Sequence, residues 1–263
     1  MSNVKIWIDG ILLAFQLLTT IPITKQVEWD ESRARASVAA YPIIGLLLGG
    51  LLALQAYVLL EWSPFSTLVI TVWLLTFSIL YSGGLHLDGW ADFHDAVFSR
   101  RDRKRKLEIM KDPRIGTFGV LALLLLLGWR LLFIYESLQL AGHQILFALV
   151  LIPFLVRLLL GWQLLLGSFA RQDGMAAALK AVKKRSMKLV FIGWSLLAML
   201  VTLLFSPLLF SLVVTSGIFL FLWMRWIHYQ IGGITGDTTG AGGEGGETIL
   251  WGILWLLLLF GMD

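Results

Sequence analysis

The sequence predicts an all-α fold, a polytopic helical bundle in a membrane, and three observations carry that prediction. Of the 263 residues, 58% are hydrophobic and only 14% are charged, whereas a soluble domain carries roughly 25% charged residues. The apolar residues gather in runs near the roughly 20 residues that cross a bilayer. The polar residues gather between those runs, and the basic ones on alternate loops. About six to seven transmembrane helices are expected, in one domain over residues 1–263, with a short N-terminal helix that lies in the interface or re-enters.

Ile6–Ile21 is the first apolar segment, ended by Pro22 and interrupted by Asp9 and Gln16. It is short for a span, and it lacks the small-residue site of a cleavable signal peptide. Ala36–Leu60 is long enough to cross. Glu61 to Pro64 turns the chain, and Thr67–Leu85 crosses back. Residues 86–116 are polar and basic. Thr117–Tyr135 and Ile145–Leu166 form the next pair, and Gly167–Lys188 is basic again. Leu189–Phe205 and Leu208–Tyr229 form another pair, divided at Ser206-Pro207. Residues 231–247 are glycine-rich, which argues against a regular helix through the whole stretch. Ile249–Phe260 is short for a span. The absence of cysteine excludes a disulfide framework and thiolate chemistry.

Charge placement predicts orientation. Of the 21 Lys and Arg, eight lie in 86–116, six in 167–188 and four in 1–35, and none lies in 61–66, 136–144 or 206–207. Cytoplasmic loops carry the excess of Lys and Arg. The N-terminus, both basic loops and the glycine-rich loop are therefore expected on the cytoplasmic side of the cell membrane. Arg130, Arg157 and Arg225 fall within spans, where an arginine usually faces the bundle interior. Arg157 is a candidate anion contact, and Arg225 is placed to snorkel to the headgroups.

The chemistry is concentrated in three blocks. In GGLHLDGWADFHD, Asp88, Asp92 and Asp95 are spaced i, i+4 and i+7, which puts three carboxylates on one narrow helical arc. Like charges at that spacing repel, and oxygen-only ligands suit a hard ion such as Mg²⁺. His86 is a candidate general base, while His94 points off the Asp face. In GGITGDTTGAGGEGGE, Asp237, Glu244 and Glu247 stand among glycines whose backbone can approach a phosphate closely. With the first block they are expected to form a site for two metals. In EIMKDPRIGTFG, Lys111 and Arg114 suit a diphosphate, and Asp112 is a further ligand or base. No P-loop, zinc signature or nucleophile elbow is present. The residues by themselves point to a membrane enzyme using a divalent metal on a phosphorylated substrate.

These three blocks, in this order, resemble the cobalamin synthase family, the adenosylcobinamide-GDP ribazoletransferases, over nearly the whole chain. Ala96 stands where the family pattern usually has Gly, Pro113 where it has Ser, and Thr239 where it has a bulkier residue. The resemblance implies Mg²⁺-dependent transfer from adenosylcobinamide-GDP to α-ribazole or its 5′-phosphate, with release of GMP. It implies Mg²⁺ at Asp88, Asp92, Asp95, Asp237, Glu244 and Glu247. Catalysis would involve Asp88, Asp92, Asp95, Asp237 and His86, and substrate contacts Lys111, Arg114, Arg157, Thr235 and Gly236. Expected partners are the two small molecules and the lipid bilayer, with no nucleic acid, and a homo-oligomer is left open. A CDP-alcohol phosphotransferase, a prenyltransferase and, less well matched, a cation transporter are the alternatives.

Overall fold

The computed structural model describes residues 3–171 and 173–261. Eleven α-helices are present among them: α1 (Asn3–Leu18), α2 (Glu31–Trp62), α3 (Thr67–Ser82), α4 (Leu85–Phe98), α5 (Arg103–Ile109), α6 (Thr117–Ala141), α7 (Ile145–Leu166), α8 (Met175–Ala178), α9 (Arg185–Phe205), α10 (Pro207–Ile231) and α11 (Gly236–Leu259). No strand occurs among the described residues, only an isolated bridge between Phe169 and Ile234. The all-α prediction holds.

Four stretches are long and apolar enough to cross a membrane: Glu31–Trp62, Thr117–Leu166, Arg185–Phe205 and Pro207–Ile231. The bent pair α3 and α4 makes a fifth if it is one broken span. That is fewer than the six or seven expected from sequence. Thr117–Leu166 accounts for part of the difference, because its two helices run in opposite directions along α11. On α6, Arg130 meets Glu244 and Phe133 meets Gly252, so the numbers rise together. On α7, Gln163 meets Thr239 and Leu159 meets Gly246, so they run against each other.

The short N-terminal helix is α1. It ends at Leu18, ahead of Pro22, and packs on α2 where a Cβ on Gly10 would sit 2.3 Å from the Ala36 Cβ. Asp9 is buried between Lys25, 2.8 Å away, and Arg33, 3.0 Å away, so its charge is paired. The α3–α4 bend is 89°. Gly83 and Gly84 both adopt positive φ, 71° and 73°, which only glycine takes without steric cost. Helix α4 is 14 residues long, about 21 Å. Too short and too acidic to cross alone, it turns off the α3 axis and packs on α6 and α11.

The glycine-rich block departs from expectation. Residues 236–259 form one helix, so the short Ile249–Phe260 run is the second half of α11. Helix propensity disfavours this by about 1 kcal/mol per glycine, and tertiary packing overrides it. Five of the six glycines in residues 236–247 face a neighbour at close range: Gly240 meets His86, Gly242 meets Trp223 and Gln163, Gly243 meets Leu160, Gly245 meets Trp90 and Gly246 meets Phe219. Helix α11 is thus held by α4, α6, α7 and α10.

Candidate active site

The site forms where α4 crosses the start of α11. Gly89 makes the crossing close: a Cβ there would lie 2.7 Å from the Asp237 carbonyl oxygen and 2.8 Å from its Cα. Asp88, Asp92 and Asp237 are thereby brought together. Asp88 and Asp237 line one cavity with His86, Arg171 and Gly236. Burial, and then the charges of Asp88, Asp237 and Asp95, push the Asp92 carboxyl up to about 7. His86 is driven the other way, to about 4, by burial and then by the Arg157 charge. Its imidazole is therefore neutral near pH 7.

Asp237 sits in the first turn of α11, where the helix dipole favours a carboxylate. Thr235 caps that turn. Its hydroxyl accepts from the Thr238 N–H at 3.1 Å and donates to Asp237 at 3.3 Å. Thr235 is 1% exposed, so it builds the turn rather than facing a ligand.

Arg171, counted in the sequence only as part of a basic loop, pairs with Asp237 at 3.2 Å. Asp173 lies 4.0 Å from Arg171 and 2.7 Å from Lys111, so two separate loops are tied to the site. Arg114 turns away: it is exposed and paired with Asp112 at 2.7 Å. That guanidinium holds Asp112 down at about 2, which removes Asp112 as a base near neutral pH.

Three other carboxylates are committed elsewhere. Asp95 accepts the Gly116 N–H at 2.7 Å and the Gly119 N–H at 2.8 Å, and so serves as the cap of α6. Glu244 and Glu247 are buried against Arg130, at 2.8 Å and 3.7 Å. Arg130 also donates to the Thr248 hydroxyl and the Glu244 carbonyl. The joint metal site expected from both acidic blocks is thus divided, because a buried arginine claims the two glutamates. Arg157 is 3% exposed inside the bundle, its Nε without a hydrogen-bond partner, and it does not line the cavity.

Among the described residues, no group of three or more Asp, Glu, His or Cys is arranged to hold an ion unaided. Mg²⁺ is usually held by one or two carboxylates, with substrate phosphates and waters completing its shell. Asp88, Asp92 and Asp237 are oxygen donors of the type that demand calls for, and Asp237 is already partly neutralised by Arg171.

A family model for cobalamin-5-phosphate synthase matches residues 10–255. A protein of Halalkalibacterium halodurans is 46% identical over 256 residues, which are 96% of this chain and 97% of the relative. One from a Geobacillus species is 41% identical, covering 95% of this chain and 96% of the relative, and one from Caldanaerobacter subterraneus is 34% identical, covering 92% and 96%. All three are named adenosylcobinamide-GDP ribazoletransferase. No solved structure matches the chain. By the family model and by these near full-length relatives, the chain belongs to the cobalamin-5-phosphate synthase family.

Proposed function

We propose that this protein is an adenosylcobinamide-GDP ribazoletransferase, acting in the cell membrane with its site open to the cytoplasm. It would join adenosylcobinamide phosphate to a ribose hydroxyl of α-ribazole, or of its 5′-phosphate, and release GMP. The observation that carries this reading is the convergence of Asp88 from α4 with Asp237 from α11 on a cavity that Arg171 also lines, with Asp92 close enough to feel both charges. Phosphoryl transfer relies on positioning and on charge neutralisation.

Asp88, Asp92 and Asp237 would hold Mg²⁺, which supplies positive charge to the diphosphate when bound. Arg171 pairs with Asp237, and Lys111 is linked to Arg171 through Asp173. Both suit the departing GMP phosphate, Arg171 by its planar fork. Asp88 borders the same cavity as the neutral His86, and either group suits the proton of the attacking hydroxyl. The leucines around the cavity exclude water, a competing nucleophile. Purified protein in lipid, given adenosylcobinamide-GDP, α-ribazole and Mg²⁺, should release GMP and stop on chelation. No GMP release under those conditions rejects the assignment.

A further inference from the structure

The cavity beside Asp88 and Asp237 has two unlike ends. Asp88, Asp237, Arg171 and His86 border one end. Leu17, Leu85, Leu160, Leu164 and Leu179 wall the other, with Tyr41 of α2 among them. Three of these leucines are buried, Leu160, Leu164 and Leu179 at 1%, 2% and 3% exposed, while Leu85 is 45% exposed. Tyr41 is 4% exposed, and no described residue hydrogen-bonds its hydroxyl. The Tyr41 hydroxyl keeps open surface beside the cavity, so it can pair with water or with a ligand atom there. The cavity volume is about 130 Å³.

What fills it follows from the chemistry of the two substrates, and so rests on the function proposed above. The corrin ring is far too large. Guanine carries donors and acceptors on several edges, each needing a partner once buried, and the leucine end offers one hydroxyl. The base of α-ribazole is dimethylbenzimidazole. Its methylated benzene edge has no polar atom, and its one free ring nitrogen is a single acceptor. Leucine walls suit that edge, and a single tyrosine hydroxyl suits that nitrogen. The base would then sit at that end, with its ribose directed toward Asp88 and Asp237. The diphosphate substrate would come from the charged end.

We infer that the leucine-walled end of this cavity is the base subsite for α-ribazole, and that Tyr41 is a specificity-determining residue donating to the free nitrogen of the base. The test compares two acceptors and one isosteric variant in the full-length protein in lipid. Tyr41→Phe should raise KM for α-ribazole roughly fivefold to tenfold, the worth of one neutral hydrogen bond, and leave KM for adenosylcobinamide-GDP within about twofold. Wild-type protein should show a KM at least about tenfold higher for an α-linked adenine riboside, whose amine would be buried unpaired. An unchanged KM for α-ribazole in Tyr41→Phe overturns the inference. So does an equal rise in both KM values, which would put guanine in the slot. Wild-type protein that releases no GMP with any acceptor rejects the parent reading instead. Equilibrium binding of radiolabelled α-ribazole, wild type against Tyr41→Phe, then still decides the subsite.

Discussion

Asp88, Asp92 and Asp95 share a helical arc, yet the structure gives them different work. Asp88 and Asp92 face Asp237, whereas Asp95 is spent on two backbone N–H groups at the start of α6. Asp88→Asn and Asp237→Asn are therefore each expected to lower GMP release by about a hundredfold or more with the fold intact, typical of losing one charge at a transferring phosphoryl group. Asp95→Asn should instead lower thermal stability, by about 1–3 kcal/mol for a stranded buried N–H. Circular dichroism melts beside turnover separate the two. Asp92 predicts a pH dependence. Its carboxyl is held at about 7 against an ordinary 3.8, so its proton favours the folded chain. That contribution is complete below the ordinary value and is lost as pH rises through about 7. Metal-free protein should therefore melt lower above pH 7 than below it, and Mg²⁺ should raise the melting temperature more on the alkaline side. A melting temperature that ignores both pH and Mg²⁺ would contradict a shared cation site. The three aspartates and Asp237 were legible from residue type and spacing alone. The commitments of Glu244 and Glu247 were not, because Arg130 lies 114 residues from Glu244 in sequence.

At the level of elements, the site depends on how closely α4 approaches α11. That approach was illegible in the sequence, because a glycine inside DGWAD reads as a flexible residue until its neighbour is known. Gly89→Ala would place a methyl group against the Asp237 backbone, which has no rotamer to yield. Turnover should fall at least about tenfold from displacement of an ångström or so, with little loss of helix content. Gly50→Ala is the control: nothing lies within 4 Å of a Cβ there, so turnover should stay unchanged. Comparable losses in both variants would mean that the crossing does not position the carboxylates. The α3–α4 bend was half legible. Gly83-Gly84 marks a break, but its 89° angle and the placement of α4 against α6 and α11 come from packing.

For the whole molecule, the apolar runs and the placement of basic residues made the bundle legible, while the number of crossings was blurred. Length and apolarity recognise α2, α9 and α10 directly. They merge α6 with α7 and pass over α11, because both tests ignore what a helix packs against. Loop charge predicts the orientation, and the absence of cysteine makes it easy to test. Arg101→Cys, exposed after α4, and Gln139→Cys, exposed near the end of α6, should label on opposite sides. In right-side-out vesicles an impermeant maleimide should reach only the Gln139 position. Labelling of Arg101→Cys alone would reverse the orientation and place the carboxylates outside.

The glycines of α11 also bear on how the chain is made. Their first-half segment has too little apolar side chain to partition into lipid by itself and too little propensity to fold alone. It becomes a helix only by docking between partners synthesised before it. A nascent chain that stops short of α11 would hold Asp88 and Asp92 on α4 without Asp237, lacking one of the three carboxylates of the site. Activity would then wait for α11, and the docking of that helix would be the step that completes the site.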